Sequence, residues 1–199
     1  DSLGSDRYII TSYNPVSGER ASNNIAVDLK DADMILSGDE ITVGENATIS
    51  ITLPSDATGN VTASVNGKSY SSKVNGGKAN IIIPALAAGN YTIPVTYSGD
   101  DKYNSAAGET NVTVNKANAA MTIDAPAITA GENATITVTL PSDATGSVSI
   151  GNESVPVKEG TASAVLTDLP VGTNTVPVTY SGDDKYNPIE TSADIIVNR

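Results

Sequence analysis

The chain has 199 residues and a formal charge of −12, and it contains no Cys, His, Phe, Trp or Gln. Without Cys and His there is no zinc site of the usual kind, no thiol nucleophile, no disulfide and no Ser-His-Asp triad, and the acidic excess disfavours direct contact with nucleic acid and anionic lipid. Its 22 Thr, 21 Ser and 18 Asn, with an apolar fraction drawn almost wholly from Val, Ile, Leu and Ala, disfavour long helices and suit short strands joined by turns.

No apolar run approaches the roughly 18 residues that a helix needs to cross a bilayer. No signal peptide opens the chain, so any export or anchoring segment is expected outside it. Residues 1–31 begin with weak alternation over Arg7–Tyr13, then a turn at Asn14-Pro15-Val16-Ser17-Gly18, then a final strand over Asn24–Leu29. Tyr13-Asn14-Pro15 echoes Tyr186-Asn187-Pro188, and Asn24–Val27 echoes Asn111–Val114. These residues read as the last hairpin of an upstream domain.

From residue 32 onward the chain is two copies of one unit, 32–116 and 117–199. Gly44–Gly59 and Gly131–Gly146 match at fourteen of 16 positions with an offset of 87. Ile93–Asn104 and Val176–Asn187 match at eleven of 12 with an offset of 83, so the second copy is four residues shorter in its middle. In the first copy a strand is expected near Met34–Val43. Ala47–Leu53 follows, with Ile49, Ile51 and Leu53 on one face and Thr48, Ser50 and Thr52 on the other. Pro54–Gly59 breaks that strand. Val61–Val65, Ser69–Val74, Ala79–Ile83, Tyr91–Tyr97 and Thr110–Val114 follow, with Asn66-Gly67 and Asn75-Gly76 as turn signals. About seven strands in some 85 residues predict an all-β sandwich. Pro94 and Pro177 fall inside the sixth strand, where a proline cannot donate to a ladder, so a bulge or late pairing from Val95 and Val178 is expected.

The run Tyr-Ser-Gly-Asp-Asp-Lys-Tyr-Asn at 97–104 and 180–187, followed by a Thr- and Val-rich last strand, resembles the bacterial immunoglobulin-like repeats. It is most similar to those strung in tandem in adhesin-like surface proteins of methanogenic archaea. The resemblance implies two tandem seven-stranded Ig-like sandwiches, an extracellular, cell-surface location and a stalk or adhesion role. It implies no catalytic residue. The connection Asn115–Ala119 is short and lacks a flexible composition. With the ends of an Ig-like sandwich at opposite poles, the copies are expected to stack end to end, each roughly 35–45 Å long. The loops Pro141–Gly146 and Ser181–Asn187 then face the preceding domain, so repetition of these loops is expected to serve the joint.

Four carboxylates, Asp100, Asp101, Asp183 and Asp184, are the candidate oxygen ligands for calcium, which needs six to eight oxygens. The competing reading makes each Gly-Asp a turn cap, with Tyr103 or Tyr186 tucked into the core. Six Asn-x-Ser/Thr sequons occur, and Asn46 and Asn133, at equivalent positions, are the first candidates for glycosylation. Adjacent loop carboxylates cannot flank a glycosidic bond, so no enzyme activity is expected. The function read from this sequence is a semi-rigid spacer and adhesion module with no cofactor. Its partners are neighbouring Ig-like domains of the same chain, and surface proteins or glycans of another cell. The alternative is a subunit of an extracellular filament assembled by strand donation from residues 7–29.

Overall fold

The structure is a computed structural model that describes residues 8–25 and 28–199. Arg7, and Ala26 and Val27 of the expected strand Asn24–Leu29, lie outside the described residues. No helix occurs among those described. Two compact units divide the chain, residues 1–113 and 114–199.

A two-stranded antiparallel sheet comes first. It pairs β1 (Tyr8–Tyr13) with β2 (Arg20–Ile25), in register from Tyr8↔Ile25 to Tyr13↔Arg20. The turn between them lies where the sequence puts it. The Asn14 side-chain oxygen accepts from Val16 N at 3.0 Å, and Gly18 N donates to Asn14 O at 2.9 Å.

The first repeat holds β3 (Ile35–Gly38), β4 (Glu40–Thr42), β5 (Ala47–Thr52), β6 (Asn60–Val65), β7 (Lys68–Lys73), β8 (Lys78–Ile83), β9 (Gly89–Tyr97) and β10 (Ala106–Asn115). They form a three-stranded sheet, β3-β5-β8, and a five-stranded sheet, β4-β10-β9-β6-β7. The second repeat follows the same plan with β11 (Thr122–Asp124), β12 (Ile128–Thr129), β13 (Ala134–Thr139), β14 (Ser147–Ile150), β15 (Glu153–Pro156), β16 (Thr161–Leu166), β17 (Gly172–Tyr180) and β18 (Ile189–Asn198). Its sheets run β11-β13-β16 and β12-β18-β17-β14-β15. Alternate residues of each strand close a dry interior. In the second repeat this core contains Ile136, Val138, Val148, Ile150, Val178, Tyr180 and Ile195. No buried polar or charged residue interrupts it among the described residues. The all-β class and the paired sandwiches are as the sequence predicts.

Three details differ. The expected single strand Met34–Val43 is split, with β3 on one sheet and β4 on the other. At the switch, Gly38 passes so close to β10 that a Cβ there would stand 2.1 Å from the Asn111 carbonyl oxygen. Asp39 holds both sheets: its carboxylate accepts from Thr48 N at 3.0 Å, and its carbonyl accepts from Thr113 N at 3.1 Å. In the second repeat Pro126 stands at that position and cannot continue a ladder. There β12 pairs parallel with β18.

The last strand begins at Ala106 rather than Thr110. Ala106–Glu109 has little strand propensity of its own, and the neighbouring long strand imposes it. Pro177 produces no bulge. It sits opposite Ser192 within an unbroken β17–β18 register. Its carbonyl accepts from Gly151 N at 2.8 Å, so its ring nitrogen faces β14, where paired register starts only at Val178. The expected late pairing therefore exists on one side of the strand alone.

The pairing also locates the missing four residues. Val61 pairs with Ser72, and its counterpart Val148 pairs with Val155. One arm is offset by 87 and the other by 83, so the loss lies at the hairpin tip. The β6–β7 ladder runs out to Val65↔Lys68 around Asn66-Gly67, both at positive φ, whereas β14–β15 stops at Ile150↔Glu153.

Two substitutions test this packing. Ile136→Ala should cost about 2–5 kcal/mol in the second unit through lost burial and a residual cavity. Gly160→Ala should cost more than Gly131→Ala. Both glycines have positive φ, but an added Cβ meets Leu140 O at 2.6 Å in the first and open space in the second. Chemical denaturation of each variant, read against the wild-type chain, measures both differences.

Candidate functional site

The repeated motif Ser-Gly-Asp-Asp-Lys-Tyr-Asn forms the loop between β9 and β10, and again between β17 and β18. Asp100 organises the first copy. One carboxylate oxygen accepts from Lys102 N at 2.8 Å and Tyr103 N at 2.9 Å, within its own loop. The other accepts from Thr58 N at 2.6 Å and Thr58 Oγ1 at 3.0 Å, from the loop after β5. Asp183 repeats this with Lys185 N, Tyr186 N and Thr145. A second tie runs beside it. Asp56 accepts from Tyr103 OH at 2.8 Å and pairs with Lys102 Nζ at 2.9 Å. Asp143, Tyr186 and Lys185 do the same. These ion pairs are half-exposed, so screening by water leaves them weak on their own.

The loop ends in a grip on the chain segment that leads into its own domain. Lys30 N donates to Lys102 O at 2.9 Å, and Asn104 N donates to Lys30 O at 2.8 Å. The Asn104 carboxamide adds a bond to Asp31 Oδ1 at 3.0 Å. In the second unit, Ala117 N donates to Lys185 O at 2.8 Å and Asn187 N to Ala117 O at 2.9 Å. Asn187 then donates to Asn118 Oδ1 at 2.9 Å, and Lys116 Nζ donates to Asp183 O. Backbone pairing on both sides of one residue fixes its path without regard to its side chain, which is why Lys30 and Ala117 can occupy the same place.

Charge at the site follows from these contacts. Partial burial pushes the Asp100 carboxyl up, but four donated hydrogen bonds outweigh it and hold the group at about 2. Asp183 is lowered in the same way by the same balance. Burial, and then the neighbouring Asp100 carboxylate, push the Tyr97 phenol up to about 12. Asp100 acts there through its charge, since no hydrogen bond of normal geometry reaches the phenol. Among the described residues, the Tyr97 and Tyr180 hydroxyls are the buried side-chain polar atoms that lack a partner.

The candidate ligands do not converge. Asp100 and Asp183 already accept four donors each, while Asp101 and Asp184 are exposed. No group of three or more Asp, Glu, His or Cys side chains able to hold a metal ion occurs among the described residues. Tyr103 packs into the core at 8% exposure, and Tyr186 is half-buried. Asn46 and Asn133 are exposed in equivalent turns, next to Glu45 and Glu132, whose carboxylates accept from Thr42 N and Thr129 N at 2.7 Å. Sequence reasoning missed Asp56, Thr58, Asp143 and Thr145 as partners of the Asp-Asp-Lys-Tyr loop. The signal was present, because all four lie in the repeated Pro-Ser-Asp-Ala-Thr-Gly run.

The sign of the acid response is fixed by a folded value of about 2 for Asp100, below the ordinary 3.8. Its contribution is complete above pH ~4 and is lost as pH falls from about 4 towards 2. Asp100→Asn with Asp183→Asn should remove this part of the pH dependence of Tm. At neutral pH each change should cost roughly 1–3 kcal/mol by leaving backbone donors unpaired. A wild-type Tm that stays level through that window would contradict the assignment.

Solved structures to which this chain is similar include the fibronectin(III)-like modules of Clostridium thermocellum CbhA, with 19% identity, 83% of this chain and 94% of that one covered, and a TM-score of 0.34. The titin domains z1z2 in complex with telethonin are 13% identical, over 86% of this chain and 98% of that one, with a TM-score of 0.43. The Yersinia pseudotuberculosis adhesin InvE is 12% identical, over 83% of this chain and 60% of its own, with a TM-score of 0.41. No curated protein matches the sequence. The profile of the bacterial Ig-like domain (group 3) matches residues 34–115 and again residues 121–198. Both repeats being covered, the chain belongs to the bacterial Ig-like domain family and carries two of its domains in tandem.

Proposed function

We propose that this chain is a spacer and adhesion module of an extracellular, adhesin-like surface protein, of the kind strung in tandem in methanogenic archaea. Its product is position rather than chemistry. The observation that carries the reading is the grip of each Asp-Asp-Lys-Tyr-Asn loop on the segment leading into its domain. A connection held by main-chain bonds on both sides of Ala117 and by the Asn187 side chain at Lys116 and Asn118 has few backbone torsions left to swing about, which is what a spacer requires. The acidic surface keeps such modules soluble and mutually repelling.

The motif aspartates act in this reading as turn caps. Calcium is not needed for it, and a calcium titration should leave Tm unchanged. Glycans on Asn46 and Asn133 would sit on exposed turns, clear of the clasp. Partners of the adhesive role are surface proteins or glycans of another cell. Strand donation from residues 7–29 ranks second, since residues 8–25 already pair with each other through six register pairs that donation would have to open.

Small-angle scattering and 15N relaxation on the full chain test the spacer. Both repeats should tumble with one correlation time, and Asn187→Gly should loosen the joint while leaving each domain folded. Independent tumbling of the wild-type repeats would overturn the proposal.

A further inference from the structure

The two repeats differ most at the tip of one hairpin, and the difference opens a surface. In the first repeat the longer β6–β7 hairpin brings Tyr70 beside Pro84, Ala85 and Leu86, and the space left there is about 180 Å³. Ile83 and Leu86 beneath are 0% and 5% exposed. In the second repeat the hairpin is two register pairs shorter, and Glu153 stands where Tyr70 stood. The same place becomes a groove of about 460 Å³, with Val165, Leu166, Leu169, Val176 and Pro177 along it and Glu153 on its rim. Leu166 and Leu169 are now partly exposed, whereas Val165 is 47% exposed much as its counterpart Ile82 is at 60%. The first repeat therefore shows what fits this apolar place: a tyrosine carried on a two-stranded hairpin.

The chain carries a second such hairpin. Within β1–β2, Tyr13 is 60% exposed and Val16, in the adjoining turn, is 94% exposed. Arg20, the register partner of Tyr13, lies over its ring at 5.8 Å. Residues 8–25 contain one acid, Glu19, and one base, Arg20, so this segment is neutral in a chain of net charge −12. It can approach an acidic partner without the repulsion that the rest of the surface imposes. Its arginine complements Glu153, and its tyrosine replaces the ring that the groove lacks.

We propose that the groove of the second repeat receives the β1–β2 hairpin of a second copy of this chain, with Tyr13 over Leu169 and Val165 and with Arg20 beside Glu153. The contact is heterologous, since it joins the hairpin of one molecule to a different surface of the next. It is independent of the spacer reading. Scattering extrapolated to zero concentration reports stiffness, whereas the dependence on concentration reports association.

Sedimentation of the full chain over a concentration series tests it. The weight-average sedimentation coefficient should rise with concentration. Tyr13→Ser and Glu153→Tyr, which remove the knob and fill the hole, should each weaken association about tenfold or more, as a central interface residue does. Both positions are exposed, so Tm should not move. Arg20→Glu should abolish association, and Arg20→Glu combined with Glu153→Arg should restore it. Sedimentation independent of concentration up to ~1 mM would overturn the proposal. So would association that survives Tyr13→Ser, failure of the charge swap to restore it, or Tyr13-dependent NMR shifts at Leu169 that do not change on dilution.

Discussion

A carboxylate that accepts four hydrogen bonds from two loops is the constraint from which the rest of each domain's pole follows. Asp100 ties the loop after β5 to the loop after β9, and Asp183 does the same in the second unit. Each of the Asp100 oxygens accepts two donors, and N–H and O–H dipoles hold the negative charge. Once the loop is closed on itself, Lys102 O and Asn104 N face outward in register. They then hold the incoming chain as a strand neighbour would. The motif is thus a piece of backbone made rigid by one side chain, and its use is to fix where the next stretch of backbone runs.

That arrangement explains why the motif tolerates change beside it. Lys30 and Ala117 differ in every side-chain property yet take the same pair of main-chain bonds. Asp31 and Asn118 differ in charge yet both accept from the motif's terminal asparagine. The aspartate, the glycine before it and the asparagine are the fixed points, because each meets a backbone group whose position it sets. The exposed Lys–Asp pairs are secondary. They steer the loop, but water screens them.

Duplication also separates what a sandwich needs from what one copy has been free to alter. Strands β5, β8, β9 and β10 match β13, β16, β17 and β18 in length, since shortening one of these would leave buried Ile or Val without neighbours. The β6–β7 hairpin projects beyond the core and lost two register pairs in the second copy without loss of the sheet. What was lost with them was the cover over one corner of the interior. Leu169 is therefore only partly buried where Leu86 is buried. A hydrophobic residue uncovered by a local deletion is a physical asymmetry between two otherwise parallel domains, and asymmetry of this sort is what lets one member of a tandem pair acquire a contact the other cannot make.

Period-two alternation in Ala47–Leu53, the Asn-Gly turns and the offset repeat determine by themselves the all-β class, the number of units, and most strand positions, because these are local patterns of side-chain polarity and backbone freedom. They determine the turn at Asn14–Gly18 for the same reason. Tertiary structure alone decides what depends on a partner far along the chain. The first strand splits because Gly38 passes against Asn111. The last strand reaches back to Ala106 because a long neighbour pairs it. Pro177 is accommodated because its missing donor faces the side where β14 has not yet begun to pair. The roles of Asp56 and Thr58 belong to this second kind. Their repetition was visible, but the forty-odd residues between them and the Asp-Asp-Lys-Tyr loop hide the contacts from any local rule, and only folding brings a donor on one loop to an acceptor on the other.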